Sequence, residues 1–140
     1  MIDFDFRTED TFRFDTGTYG KWIESIAVSE SFLVNKILYV FVDDEALLDM
    51  NRKYLKHDTY TDIITFDYTS GKALTGEIFI SMERVRDNAV DFDVEFEVEL
   101  KRVVAHGVLH MMGYGDKTEM ERVMMREKEV EKIKMFHVEQ

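Results

Sequence analysis

The pattern of hydrophobic and polar positions begins with the period of a strand and soon changes to that of a helix. Residues 1–6, MIDFDF, place Ile2, Phe4 and Phe6 on one side and polar residues on the other, which predicts a half-buried strand. Past Thr16-Gly17, the residues Trp22, Ile23, Ile26, Ala27 and Leu33 share one helical face. KILYVFV (36–42) is apolar on both sides and dense in β-formers, the pattern of an interior strand. Asp43-Asp44 end that strand and can cap a helix to about Leu55, with Leu47, Met50 and Tyr54 inward. LKHDTYTD (55–62) has turn residues and no period, so it predicts a loop in which Asp58 and Asp62 are turn formers.

IITFDY (63–68) and EIFIS (77–81) read as strands, with TSGKALTG (69–76) as the turn between them. So short a connection pairs them antiparallel. A helix from about Met82 to Ala89 follows. Residues 91–100, DFDVEFEVEL, alternate like a strand, but Phe96, Leu100, Val103, Val104, Gly107 and Met111 also form a helical stripe. The stripe outlasts any ordinary strand, so a helix from about Val94 to Met112 is the expectation. Gly113 and Gly115 stop it. Thr118-x-x-Glu121 is a capping box that opens a last helix, with Met120, Val123, Met124, Val130 and Ile133 inward. Residues 1–140 are therefore expected to form a single-domain α/β sandwich, a small mixed β-sheet covered by helices.

Composition narrows the function classes. The chain has 140 residues and no cysteine, so disulfides and thiolate metal ligands are excluded. No apolar run approaches the ~20 residues of a membrane span, and MIDFDFRTED is too acidic for a signal peptide. A cytoplasmic protein without membrane contact is the expectation. The 18 basic and 29 acidic residues give a net charge of −11, which argues against a broad basic surface for nucleic acid. The charge is uneven, however. Residues 87–99 carry six acids and no base, 51–57 carry Arg52, Lys53 and Lys56 and no acid, and 117–134 hold six bases to five acids. Bulk charge leaves a polyanionic substrate open. The nine methionines lie on the apolar faces and read as core filler.

Candidate chemistry centres on His106-Gly-Val-Leu-His110-Met-Met-Gly-Tyr-Gly-Asp116. Positions i and i+4 of a helix bring both imidazoles to one face, where they can share a cation such as zinc. The glycines let the chain double back, and Asp116 is the first ionisable side chain after the turn. Two His and one carboxylate leave coordination positions open, the layout of a catalytic site. Two polar ends of a core helix would explain the histidines alone, but not the turn and the carboxylate with them. A zinc peptidase places its general-base Glu directly after the first His; here that position is Gly107. Glu77 is a further candidate on its strand, and His137 lies in the terminal tail.

HGVLHMMGYGD resembles the signature of the YbeY family, metal-dependent endoribonucleases that mature ribosomal RNA. Asn51-x-x-Tyr54, then Asp58-x-x-Thr61-Asp62-Ile63-Ile64-Thr65-Phe66, resembles the family's loop and strand, and Gly76-Glu77-Ile78-Phe79-Ile80-Ser81 its next strand. Met124 or Met125 and Glu129 fit its last helix. The resemblance runs from about residue 36 to 135. It implies a single-strand endoribonuclease of rRNA maturation and ribosome quality control, with His106, His110 and Asp116 on one divalent ion. It also implies ribosomal RNA and ribosomal or ribosome-associated proteins as partners. Two positions depart from the family pattern. The third histidine of the usual triad is Asp116, which makes the site harder and one charge more negative. An Arg thought to face the substrate is Leu55, and Lys56 and His57 are the residues that can supply its charge. The competing readings are a metallohydrolase of another substrate class, a non-haem iron site, and a non-catalytic metal-binding ribosome-associated factor.

Overall fold

The computed structural model describes residues 1–57 and 59–138, the last two by backbone alone. The expectations for Asp58 and for the His137 side chain lie outside the described residues. Along the chain run β1 (Ile2–Arg7), α1 (Thr16–Ser29), β2 (Leu33–Val42), α2 (Asp44–Tyr54) and β3 (Ile63–Asp67). β4 (Ala73–Ser81), α3 (Met82–Asp91), α4 (Phe96–Met111) and α5 (Glu119–Val138) follow. The sheet order is β1-β2-β4-β3, with β1, β2 and β4 parallel and β3 antiparallel to β4. This is the mixed sheet expected from the sequence.

The period-two alternation decides what each face of the sheet meets. Ile37, Tyr39 and Phe41 of β2 and Ile78 and Ile80 of β4 share one core with Trp22 of α1, Val103 and Val104 of α4, and Met125 and Phe136 of α5. Val40 and Val42 point the other way, to a smaller core with Leu47 of α2 and Ile64 of β3. The inner half of β2, residues 37–42, is covered on both faces, by α1, α4 and α5 on one and by α2 on the other. On the edge strand β1, Phe4 meets Phe14 and Phe6 meets Phe41 at ring-centroid separations of 4.9 and 5.2 Å.

Several inward assignments fail, each for a packing reason. Leu33 is not on α1, which ends at Ser29; it opens β2 and is 68% exposed. Tyr54 is exposed at the end of α2, where Leu47, Leu48 and Asn51 face inward instead. The hairpin turn is tighter than expected, because β4 starts at Ala73 and Gly71 turns the chain at φ +61°. The largest miss is the phase of α5. Met120, Val123, Met124 and Val130 are exposed, and Met125, Glu129, Lys132 and Phe136 form the buried face. Apolar periodicity misreads this helix because two of its four buried positions are charged.

Those charges are satisfied. Lys132 Nζ donates to Glu30 Oε2 at 2.8 Å, to Ser29 Oγ at 2.9 Å and to Glu131 Oε2 at 2.6 Å. Its backbone carbonyl accepts from the buried Trp22 indole at 2.7 Å. Tyr114 Oη and Lys128 Nζ also donate to Glu30. Burial alone would raise the Glu30 carboxyl, but hydrogen bonds from Lys132, Tyr114 and Lys128 outweigh it and bring the pKa from 4.5 down to about 2. A depressed carboxylate contributes stability that is complete above its unfolded pKa and is lost as pH falls through the folded one. Wild type is therefore expected to weaken between pH 4.5 and about 2. Glu30→Gln should be less stable at neutral pH and flatter across that window, which urea midpoints measured down the pH scale will check.

Candidate metal centre

The helix α4 lies on the sheet with Arg102, His106 and His110 in one i, i+4 row. It can lie so close only because residue 107 has no side chain. A Cβ there would stand 2.9 and 3.0 Å from carbons of Ile78 and 3.2 Å from one of Ile63. The position that bears the base in zinc peptidases is thus filled by the sheet itself, and no carboxylate can occupy it.

After His110 the chain reverses. Gly113 takes φ +101°, a conformation L side chains rarely adopt, and Tyr114 N closes the helix end on Leu109 O at 3.1 Å. Downstream, Thr118 N donates to Glu121 Oε1 at 3.0 Å and Glu121 N to Thr118 Oγ1 at 3.1 Å, the reciprocal capping box. Tyr114 is tied to Glu30 at 2.7 Å. Asp116, held between these anchors, turns back over α4.

The three predicted ligands converge. Asp116 Oδ2 lies 3.4 Å from His106 Nε2 and 3.3 Å from His110 Nε2, and one donor atom from each residue lies within 4.8 Å of the others. The imidazole rings are 5.0 Å apart and nearly perpendicular. His106 Nδ1 is 2.7 Å from Glu129 Oε2. A carboxylate only accepts, so Nδ1 carries a proton, and in the neutral imidazole that binds metals the Nε2 lone pair is left facing Asp116. In that neutral form two acceptors face each other across 3.4 Å. A cation between them resolves that contact, so the donor set fits a divalent ion of the kind imidazole and carboxylate bind.

Behind the triad, Arg102 binds Glu99 at 2.7 Å and Glu129 and Asp62 at 3.3 Å. Burial opposes its charge, but Glu99, Glu129 and Asp62 more than offset that and push its pKa up. Arg102 thereby fixes the carboxylate that fixes His106. In front of the triad opens a cleft of about 410 Å³, with Leu55, Asp62, Thr65 and Asp67 on its walls beside His106 and His110. Lys56 and His57 are exposed on the loop and do not line it. Glu77 lies on β4 with the parity of Phe79, so it faces away from α4. Sequence reasoning gave Glu129 no role and passed over Arg102. The spacing of Arg102 four residues before His106 was the available signal.

Comparisons with known proteins place the chain among relatives. Residues 5–137 match the family described as Endoribonuclease YbeY. A protein of that name from Flavobacterium johnsoniae is 53% identical over 141 residues, all of both chains. Another from Flavobacterium psychrophilum is 50% identical, over all of this chain and 99% of its own. The solution structure of a Thermotoga maritima protein superposes with a TM-score of 0.66 at 27% identity, covering 95% of this chain and 88% of that one. With matches of this extent, the chain belongs to the endoribonuclease YbeY family.

Proposed function

We propose that this protein is a metal-dependent endoribonuclease that hydrolyses phosphodiester bonds of single-stranded RNA in ribosomal RNA maturation and ribosome quality control. One observation carries the reading: the donor atoms of His106, His110 and Asp116 meet at the head of an open cleft, with His106 locked by Glu129. The Endoribonuclease YbeY relatives supply the reaction class and the substrate. Residues 1–140 act as one metallohydrolase domain in the cytoplasm, with ribosomal or ribosome-associated proteins as partners. Among the described residues no helix is long and apolar enough to cross a membrane.

Zinc is the ion proposed, held by His106 Nε2, His110 Nε2 and an Asp116 oxygen. When bound, a divalent cation supplies Lewis acidity towards a phosphoryl oxygen and towards water. The protein's own part is positional. Glu129 accepts the Nδ1 proton of His106 and so presents Nε2, and Arg102 holds Glu129 in place. Asp116 adds negative charge opposite the imidazoles. Lys56 and His57, exposed beside Leu55, are proposed to meet the RNA backbone outside the cleft.

The test is cleavage of single-stranded RNA by native, chelator-stripped and zinc-restored protein. Stripping is expected to stop cleavage without unfolding the chain, since the core holds no metal ligand, and zinc to restore it. Cleavage that survives stripping would contradict the reading.

A further inference from the structure

Beside the cleft is a second cavity, of about 190 Å³, which reaches the triad from the side of α5. It shares Arg102, His106 and Asp116 with the cleft and is closed by Arg122, Met125 and Arg126. The two cavities meet across the triad, so a strand bound through it has one flank on β3 and the other on α5.

The two flanks differ in charge. On the β3 side the walls carry Asp62 and Asp67, with Arg102 and Asp116 at the junction. On the α5 side Arg122 and Arg126 line the wall with Asp116 and the buried Glu129. The α5 arginines are also differently engaged from others in the chain. Arg84, Arg86 and Arg102 are each bound to carboxylates. Arg122 donates only to backbone carbonyls, those of Lys117 at 2.9 Å and Asp116 at 3.5 Å. Arg126 makes no hydrogen bond or ion pair among the described residues. In a chain of net charge −11, two arginines one helical turn apart and free of carboxylate partners stand at the mouth of the candidate metal centre.

We propose that Arg122 and Arg126 form a subsite for the backbone phosphate that flanks the scissile one in single-stranded RNA. The inference rests on the endoribonuclease reading and assigns the flank on which the strand is held. A guanidinium forks onto phosphate oxygens in geometry that an ammonium does not match. Arg122 also braces the Asp116 turn through its hydrogen bonds to the carbonyls, so an occupied subsite sits directly against the carboxylate ligand.

The experiment is fluorescence anisotropy of a labelled single-stranded oligoribonucleotide, titrated in chelator over a series of KCl concentrations so that no turnover occurs. The double variant Arg122→Gln, Arg126→Gln is expected to bind about tenfold more weakly, with a salt slope shallower by about 0.7 for each phosphate it no longer neutralises. Arg126→Gln alone, which leaves the Arg122 hydrogen bonds to the Asp116 turn in place, should bind the strand more weakly while keeping the thermal midpoint and zinc affinity of wild type. The double Lys variant should recover the salt slope. Arg13→Gln, which removes an exposed charge away from both cavities, should match wild type. Unchanged affinity and slope in the double Gln variant, with wild type still cleaving RNA, would overturn the subsite alone. A wild type that neither binds nor cleaves the strand would overturn the subsite and the endoribonuclease reading together.

Discussion

His110→Ala is expected to abolish metal-dependent RNA cleavage while leaving the metal-free fold as stable as wild type. His110 is one-third exposed at the last turn of α4, and its ring touches His106 and Asp116 rather than the core. Its removal opens no cavity, so the penalty falls on the ion. Loss of an outer hydrogen-bond partner of a metal ligand typically costs 10–100-fold in affinity, so loss of the ligand itself should exceed about 100-fold. Glu129→Gln should fall within that outer range, because an amide can still accept from His106 Nδ1 but no longer balances Arg102. Urea denaturation of the stripped proteins, set beside RNA cleavage with zinc present, separates a damaged site from a damaged fold.

The largest effect on stability is expected at Gly107. Gly107→Ala puts a methyl group within 3.0 Å of the side chain of Ile78 on β4, which is fully buried under the helices and cannot yield. Overpacking of this kind costs about 1–3 kcal/mol. Gly107→Glu, which would write the peptidase motif into α4, adds a carboxylate with no partner in an apolar environment, and should cost about 3 kcal/mol or more. The urea midpoint should drop in that order, wild type, Ala, Glu. A Glu variant as stable as wild type would mean that α4 does not sit directly on the sheet. The same close approach explains why one motif can hold a metal without the peptidase base: the helix has been brought too near the strands for one.

The sheet and the convergence of His106, His110 and Asp116 were legible because each depends on local spacing. Alternation in residues 1–6, the apolar run 36–42 and the short link between 63–68 and 77–81 report strand faces directly. The i, i+4 histidines need only a helix, and Asp116 needs only a turn, which Gly113 and the Thr118–Glu121 box provide. What escaped was everything set by long-range polar pairing. Glu129 and Lys132 are buried because Arg102, His106 and Glu30 await them from α4 and α1, and no period in α5 reveals partners that distant in sequence. The apolar stripe of Met120, Val123 and Val130 pointed to the wrong face for the same reason. Leu33 failed more simply: its helical spacing ran past a helix that had already ended.

Asp116, the proposed third ligand, is where the sequence departs from the histidine triad that the resemblance implies, so it carries the central claim. Zinc titrated into wild type, His110→Ala and Asp116→Ala against a competing chelator tests it most directly. Wild type should bind tightest, and Asp116→Ala should lose affinity substantially while its thermal midpoint without metal is unchanged. Asp116→Ala binding zinc as tightly as wild type would remove Asp116 from the metal and contradict a site built on two histidines and one aspartate.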